Sequence, residues 1–270
     1  MEGDMNVFHD SILQGKVAFL SGSSSGIGLG IAEYFAQQGA KVMLNGRNAE
    51  KLAAAQAAIT ASGGVAGIAP CDVRDYNAVA EAVARTRSQW GEIDILVCGA
   101  AGNFPAPVSA MSANGFKAVI DIDLLGTFNV CRAALEHLRQ PGASIISISA
   151  NHASVPYPYQ AHVCAAKAGV ERLAQVLALE WGPLGIRSNL INPGPIDDTE
   201  GMRRLAPTPE ARAATVKSIP LGRMGTKQDI ANLALFLCSD AASFISGGVF
   251  HCDGAQGLLG ARAFSDLALR

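Results

Sequence analysis

Short apolar segments, rich in β-branched residues and bounded by turn-forming residues, recur seven times along the chain. They predict strands at 16–21, 41–45, 65–69, 93–98, 144–149, 187–191 and 248–252. Between them, apolar positions repeat every three or four residues, which predicts helices at 26–38, 49–61, 77–90, 115–139, 161–181 and 227–239. Strands that alternate with helices in this way pair in parallel and are covered on both faces. The pattern therefore predicts an α/β fold with a seven-stranded parallel sheet.

One segment, from Asn192 to Pro220, interrupts this alternation. It is rich in proline and glycine and carries a short basic helix, so we expect a lid inserted at about 194–220. The remaining chain shows no repeat, linker or low-complexity tract. We predict an N-terminal arm at 1–14 and a single doubly wound, Rossmann-like domain at 15–270, with ligands at the carboxyl ends of the strands.

Composition and charge remove several classes of function. The formal net charge is −2 and only 16% of residues are charged, so no basic surface for nucleic acid is indicated. The apolar runs are too short to span a bilayer, and neither a secretory signal nor a C-terminal S-K-L address is evident. The six cysteines are scattered without metal-ligand spacing, as in reducing compartments. We expect a cytoplasmic protein with no metal, no nucleic-acid partner and no membrane insertion.

A glycine-rich turn follows the first predicted strand. The sequence SGSSSGIG at 21–28 has the spacing G-x-x-x-G-x-G and leads into a helix. Such a turn lets the backbone approach a pyrophosphate, whose charge lies at the helix N-terminus. A plain strand-to-helix connection is the alternative, but the position after the first strand favours a dinucleotide. The candidate cofactor-binding residues here are Gly22, Ser24, Ser25, Gly26, Ile27 and Gly28.

Arg47, at the end of the second predicted strand, bears on which dinucleotide binds. An acidic residue there would bind the ribose hydroxyls of NAD, whereas the guanidinium donors of an arginine suit a 2′-phosphate. A solvated arginine at a helix start is the alternative. The residue favours NADP(H).

Taken together, the glycine turn, Asp72, the stretch CGAAG at 98–102, Lys167 and the stretch PGP at 193–195 resemble short-chain dehydrogenases/reductases over nearly the whole chain. In that family the aspartate contacts adenine, the lysine holds the nicotinamide ribose, and the residues after the sixth strand face the carboxamide. The resemblance adds these candidate cofactor-binding residues: Asp72, Val73, Ala100, Lys167, Pro193, Gly194 and Ile196.

The departures from this family are informative. Its usual active site contains a Tyr-x-x-x-Lys pair, an upstream serine and an asparagine on the fourth helix. Here these positions hold Val163, Ala150 and Asp123, while Lys167 is retained. Tyrosine and lysine at i and i+4 share a helix face, which lets the ammonium lower the phenol's pKa. Because valine cannot exchange a proton, a plain alcohol or ketone reductase is disfavoured.

Three segments resemble 2,4-dienoyl-CoA reductases of the peroxisomal kind: AGNFP at 101–105, DIDLLGTF at 121–128 and TEGMRRL at 199–205. The resemblance implies NADPH-dependent reduction of an unsaturated fatty acyl-CoA, through an enolate protonated by a water that acidic groups position. It implies a homotetramer as well. The implied catalytic residues are Asp123, Lys167 and Asp253, and the implied substrate-binding residues are Asn103, Phe104, Arg203 and Arg204. Asp253 could equally cap a turn, Asp123 could be a buried helix aspartate paired with Lys167, and the arginines could be solvated surface charges.

Two alternatives stay open at this point. A carbonyl reductase, such as a 3-oxoacyl reductase, could use Tyr157, Tyr159 or His152 as a substitute acid. The chain could also be a cofactor-bound scaffold that has lost turnover. Turnover of 2,4-dienoyl-CoA against 3-oxoacyl-CoA separates the two enzymes, and cofactor binding without turnover favours the scaffold.

Overall fold

The computed structural model describes residues 11–261 and confirms the parallel α/β fold. Seven parallel strands form one sheet in the order β3-β2-β1-β4-β5-β6-β7. The strands are β1 (Val17–Ser21), β2 (Lys41–Gly46), β3 (Val65–Pro70), β4 (Ile95–Cys98), β5 (Ser144–Ile148), β6 (Arg187–Pro193) and β7 (Val249–Cys252). The helices are α1 (Gly26–Gln37), α2 (Ala49–Ala61), α3 (Tyr76–Trp90), α4 (Ala113–Val119), α5 (Gly126–Ala134), α6 (Ala161–Trp181), α7 (Glu200–Leu205), α8 (Pro209–Lys217) and α9 (Lys227–Cys238).

Alternation along the strands creates two apolar layers. In β1, Ala18 and Leu20 face one side of the sheet, where α1 packs against α9. Val17 and Phe19 face the other side, where α3 packs against α5. The strands are therefore buried on both faces, which explains their nearly continuous apolar runs. No helix within residues 11–261 is long and apolar enough to cross a membrane.

The helix predicted at 115–139 is interrupted. The chain forms α4, then a π-helical turn at Ile120–Leu125, then α5, and a short 3₁₀ turn ends at His137. Leu138 leaves the helix to form a bridge with Ile93, so the predicted helix is too long at this end. A π turn inserts an extra residue into the helix, which apolar periodicity does not reveal.

The segment at 194–220 contains two helices, α7 and α8, rather than the one short basic helix expected. Pro209 begins the second helix. A proline suits this position because the backbone N–H of the first helical residue has no acceptor within the helix, so its loss costs no hydrogen bond. Both pack over a small apolar cluster of Met202, Ala206, Ile219 and Met224. A lid function for this segment stays a prediction.

The first ten residues of the predicted arm lie outside the described residues. Residues 11–14 form a turn against the domain, where Leu13 is buried and its N–H donates to the carbonyl of Gln38 at 2.9 Å. The domain limits 1–14 and 15–270 stay predictions, and residues 262–270 are likewise outside the described part.

Candidate active site

The glycine turn at the carboxyl end of β1 leads into a helix without a side-chain cap. Helix α1 begins after Ser25, whose side chain accepts no hydrogen bond from the first turn, and that turn holds no acidic residue. Helix α6 also lacks a side-chain cap, whereas the following helices have one: α2, α3, α4, α7, α8 and α9. Uncapped N–H groups and the helix dipole suit an anion. The N-terminus of α1 therefore fits a pyrophosphate.

Two glycines of the turn are required by close packing. Gly22 has φ +68, and a Cβ on it would lie 2.5 Å from the backbone nitrogen of Ala100. A Cβ on Gly28 would lie 2.4 Å from the carbonyl oxygen of Gly22. The turn thus lies directly against the loop after β4, bringing two sets of predicted cofactor-binding residues together.

At the ends of β2 and β3, the predicted adenosine site contains an unexpected arginine. Asp72 accepts hydrogen bonds from Arg74 Nε at 3.0 Å and Nη2 at 2.6 Å. This pairing with Arg74 lowers the pKa of Asp72, and the charge of nearby Arg47 lowers it further. Arg47 itself is exposed and makes no ion pair within the described chain. The side chain of Val73 is buried against Gly126, so only its backbone can face a cofactor.

A buried ion pair joins the two central candidates. Asp123 lies on the π turn, and its Oδ2 is 3.3 Å from Nζ of Lys167 on α6. The same ammonium donates to the carbonyl of Ile148 at 2.9 Å, while Asp123 Oδ1 accepts from the N–H of Gly102 at 2.7 Å. Side-chain exposure is only 8% for the lysine and 1% for the aspartate. Each charge therefore depends on the other for its burial.

One helical turn before Lys167, an apolar side chain lies in apolar surroundings. Val163 is buried and packs against Val119 and Ala166. Ala150, at the position of the family's serine, follows β5 and is half-buried. Neither side chain can donate a proton, so the chemistry of this site cannot pass through those two positions.

Asp253 ends β7 in a tightly bonded turn. Its Oδ1 accepts from the N–H of Ala255 at 2.9 Å, and its Oδ2 accepts from the N–H of Gly257 at 2.7 Å. Asn151 Nδ2 donates to the same Oδ2 at 2.9 Å, a contact that sequence reasoning missed. Ala255 has φ +69, which costs an alanine about 1–2 kcal/mol. These hydrogen bonds support the interpretation that Asp253 caps a turn. A role of Asp253 in proton transfer stays a prediction.

A cleft of about 320 Å³ opens beside Asp253, between the ends of β6 and β7 and the α8–α9 connection. Gly194 approaches Asp253 so closely that a Cβ would lie 2.6 Å from its Cα. Ile196 turns its side chain into the core, so it would contribute its backbone. Gly194 and Ile196 therefore line the cleft at the end of β6, directly after Pro193, the last residue of that strand.

The three substitute acids differ in their surroundings. His152 stacks on Tyr157 with ring centroids 4.1 Å apart. Burial raises the pKa of Tyr157, as do the charges of Asp253 and Cys164, which keeps the phenol protonated. Burial, followed by the charge of Lys167, lowers the pKa of His152 to about 4. Tyr159 is 60% exposed and has φ +66, so it lies toward solvent.

The lowered pKa of His152 predicts an acid sensitivity. The unfolded chain, with a histidine pKa near 6.5, binds this proton before the folded chain does as pH falls. Stability is therefore full above pH 6.5 and decreases between pH 6.5 and 4, by at most about 3 kcal/mol. Urea unfolding at pH 7 and pH 5 should show a smaller decrease in His152→Phe, which retains the ring against Tyr157. An equal decrease in both proteins would contradict this.

The predicted substrate residues divide into a pair on the loop after β4 and a pair on α7. Phe104 is 38% exposed and meets the ring of His162 edge to face, at 4.5 Å between centroids. Asn103 Oδ1 is buried and has no partner in the described chain. On α7, Arg203 pairs with Glu200 and Asp198 at 3.3 Å, and Arg204 pairs with Glu200 at 2.9 Å. Exposed pairs contribute at most about 1 kcal/mol. Both arginines can therefore exchange these partners for a phosphate.

A polar network beneath the site was also not foreseen. Glu171 on α6 accepts from Ser149 Oγ at 3.0 Å and from Asn192 Nδ2 at 2.8 Å. These groups join the ends of β5 and β6 to the helix that carries Lys167. Contacts between residues so distant in sequence left no signal in local patterns.

The sheet is parallel and doubly wound, and its first strand leads through a glycine turn into an uncapped helix. This is the architecture of dinucleotide-binding oxidoreductases. Residues 22–255 match the family model described as "Enoyl-(Acyl carrier protein) reductase". The chain belongs to the short-chain dehydrogenase/reductase family, whose fold binds a nicotinamide cofactor.

Several relatives support this membership. The chain is 42% identical to the peroxisomal 2,4-dienoyl-CoA reductase of Saccharomyces cerevisiae, covering 92% of this chain and 86% of that protein. It is also 42% identical to the enzyme of that name from Rattus norvegicus, covering 93% and 87%. Among solved structures, a short chain dehydrogenase from Bacillus anthracis has 38% identity and a TM-score of 0.81, covering 90% and 96%. A gluconate 5-dehydrogenase from Burkholderia cenocepacia, in complex with NADP and tartrate, has 32% identity and a TM-score of 0.86, covering 92% and 97%.

Proposed function

We propose that this protein is an NADPH-dependent 2,4-dienoyl-CoA reductase. The observation that carries the proposal is the buried pair of Asp123 and Lys167 beside Val163, a site that keeps the cofactor-holding lysine and lacks the proton-donating phenol. Relatives at 42% identity bear the name of this activity and are described as producing (3E)-enoyl-CoA. That product requires protonation at the α-carbon, a position that solvent can serve.

The proposed chemistry assigns a task to each group. Bound NADPH supplies a hydride, for which the δ-carbon of a dienoyl thioester is the electrophile. Lys167 would hold the nicotinamide ribose, and Asp123 orients the ammonium through their ion pair. As negative charge collects on the thioester oxygen, hydrogen-bond donors of the site stabilise it. A water held by Asp123 or Asp253 would then give a proton to the α-carbon, so the double bond that remains lies between the β- and γ-carbons. The hydroxide that is left takes a proton from bulk solvent.

The coenzyme A end of the substrate suits the exposed arginines of α7. Arg203 and Arg204 lie on the segment at 194–220 and are held only by exposed carboxylates. A phosphate dianion can replace Glu200 as the partner of these guanidiniums. Asn103 and Phe104 would line the channel for the acyl part.

The preference for NADPH rests on Arg47 and is tested by substitution. Replacing Arg47 with serine removes a charged donor from the 2′-phosphate, so KM for NADPH should rise about 10- to 100-fold while KM for NADH changes little. The matched control is Lys51→Ser, which removes an exposed cation from the nearby start of α2. An equal loss for both cofactors would contradict the assignment.

Turnover measurements decide between the proposed activity and its alternative. With NADPH, the protein should reduce a 2,4-dienoyl-CoA and leave a 3-oxoacyl-CoA of equal length largely unreduced. The alternative is a carbonyl reductase using Tyr157, whose ring stacks on His152. If Tyr157→Phe abolished reduction of a 3-oxoacyl-CoA while the dienoyl thioester was untouched, the alternative would hold. NADPH binding without any turnover would indicate a silent scaffold. The homotetramer and the cytoplasmic location stay predictions.

A further inference from the structure

Buried polar atoms without partners concentrate at one place in the fold. Within residues 11–261, ten side chains carry such an atom. Five of the ten lie on the loops after β4 and β5, on the π turn and at the start of α6: Asn103, Asp123, His152, Gln160 and His162. Of these, Asp123 Oδ2 makes an ion pair with Lys167 but no hydrogen bond. Native interiors rarely leave buried polar groups unpaired, and each one costs about 1–3 kcal/mol. Such a concentration indicates groups that are kept for a ligand.

His162 is the most informative of the five because its proton can be placed. The ring is fully buried, and its Nδ1 accepts from the backbone N–H of Val163 at 2.9 Å. An accepting nitrogen carries no proton, so the N–H of this imidazole is at Nε2. That Nε2 has no partner within the described chain. His162 therefore holds a fixed, unused hydrogen-bond donor.

The ring of Phe104 covers one side of the His162 imidazole. Its edge-to-face contact with His162 spans 4.5 Å between centroids, and 38% of the phenylalanine remains exposed. Asn103 precedes it, with its own unpartnered oxygen. Because Phe104 is partly exposed, a rotation of its side chain would open that side of His162 to a substrate group.

The proposed reaction needs a donor that the positions of the family's phenol and hydroxyl do not supply. Val163 and Ala150 stand where a phenol and a hydroxyl would otherwise donate to a carbonyl oxygen. Lys167 Nζ already faces Ile148 O and Asp123, and its remaining proton is assigned to the nicotinamide ribose. A group that stabilises charge on the thioester oxygen must come from elsewhere in the site.

We propose that Nε2–H of His162 donates a hydrogen bond to the carbonyl oxygen of the acyl thioester and strengthens it as that oxygen becomes an enolate. This inference rests on the proposed function for its substrate class. It makes His162 a catalytic residue on the turn of α6 that precedes Lys167. The acyl group approaches along Phe104, and the donor is desolvated before substrate arrives, as an effective charge-stabilising group requires.

The test compares two ligands that differ only at the carbonyl. Binding of a saturated acyl-CoA thioester and of the S-alkyl-CoA thioether of equal length is measured on the complex with NADP⁺, for the wild-type protein and for His162→Phe. The phenylalanine preserves a ring against Phe104 and removes Nε2–H. We expect the thioester to bind about tenfold more weakly to the variant and the thioether to bind unchanged. The kcat for a 2,4-dienoyl-CoA should fall about 10²- to 10³-fold.

Controls separate this role from a structural one. His137→Phe alters another histidine with a buried unpartnered nitrogen, located in the 3₁₀ turn after α5, and should change neither affinity nor kcat. Equal weakening of thioester and thioether in His162→Phe would overturn the inference while leaving the reductase proposal intact. If the wild-type protein bound the thioester with this dependence on His162 but did not reduce a dienoyl-CoA, the inference would stand and the proposed function would fail.

Discussion

Replacing Lys167 with methionine should lower kcat for a 2,4-dienoyl-CoA by at least about 10³-fold. Methionine keeps the length of the side chain and removes the ammonium that holds Asp123 and Ile148 O. The carboxylate of Asp123 would then be buried without its counter-charge, which destabilises a protein by about 3–5 kcal/mol. Steady-state kinetics and urea unfolding measure the two effects separately.

The double variant Asp123→Asn with Lys167→Met distinguishes charge burial from chemistry. Asparagine can still accept from the N–H of Gly102, and removing both charges should recover most of the lost stability without recovering turnover. The matched control is Lys117→Met, since Lys117 pairs with Asp121 on the same helical stretch but is exposed. Wild-type turnover in Lys167→Met would refute the site assignment.

Replacing Gly22 with alanine should disrupt the cofactor site. The new Cβ would meet the backbone nitrogen of Ala100 at 2.5 Å, in a residue whose φ of +68 already disfavours a side chain. Strain and overpacking together should lower the free energy of unfolding by about 2–5 kcal/mol. Because the turn must move off the loop after β4, NADPH affinity should fall more than about tenfold. Calorimetry and cofactor titration provide the readouts.

Gly63 supplies the matched control for this experiment. It has φ +87, but a Cβ on it would have no atom within 4 Å. Gly63→Ala therefore pays only the cost of the left-handed conformation, about 1–2 kcal/mol, with cofactor affinity unchanged. Equal losses of stability in the two variants, with normal NADPH binding by both, would show that the close approach of Gly22 to Ala100 is not needed for cofactor binding.

Local patterns were sufficient for the sheet because its strands are buried on both faces and read as apolar runs. The pairing of Asp123 with Lys167 was also foreseeable, since both positions belong to motifs that the family resemblance aligned. The hydrogen bond from Asn151 to Asp253 was not, because 102 residues separate the partners and neither lies in a periodic element. The pairing of Arg74 with Asp72 was not predicted for another reason. Arg74 follows Asp72 in a turn, where a charged side chain is usually solvated.

The geometry of His162 could not have been read from the sequence either. A histidine in a helix is most often a core or surface residue, and only the contact from the N–H of Val163 fixes the position of its proton. The same holds for α7 and α8, whose separation depends on a short connection between two weakly amphipathic stretches.

The π turn at Ile120–Leu125 holds one residue more than a regular helical turn between α4 and α5 would hold. Deleting one residue there would let a regular α-helix run through, with better backbone hydrogen bonding. Because the π turn accommodates the extra residue locally, α4 and α5 would keep their relative orientation, and the side chains within the turn would change direction. Asp123 lies within that turn, so the deletion would disrupt its contacts with Gly102 and Lys167. The shortened segment would form a more stable helix and a less active enzyme. The length of this segment is therefore set by the site rather than by the stability of the helix.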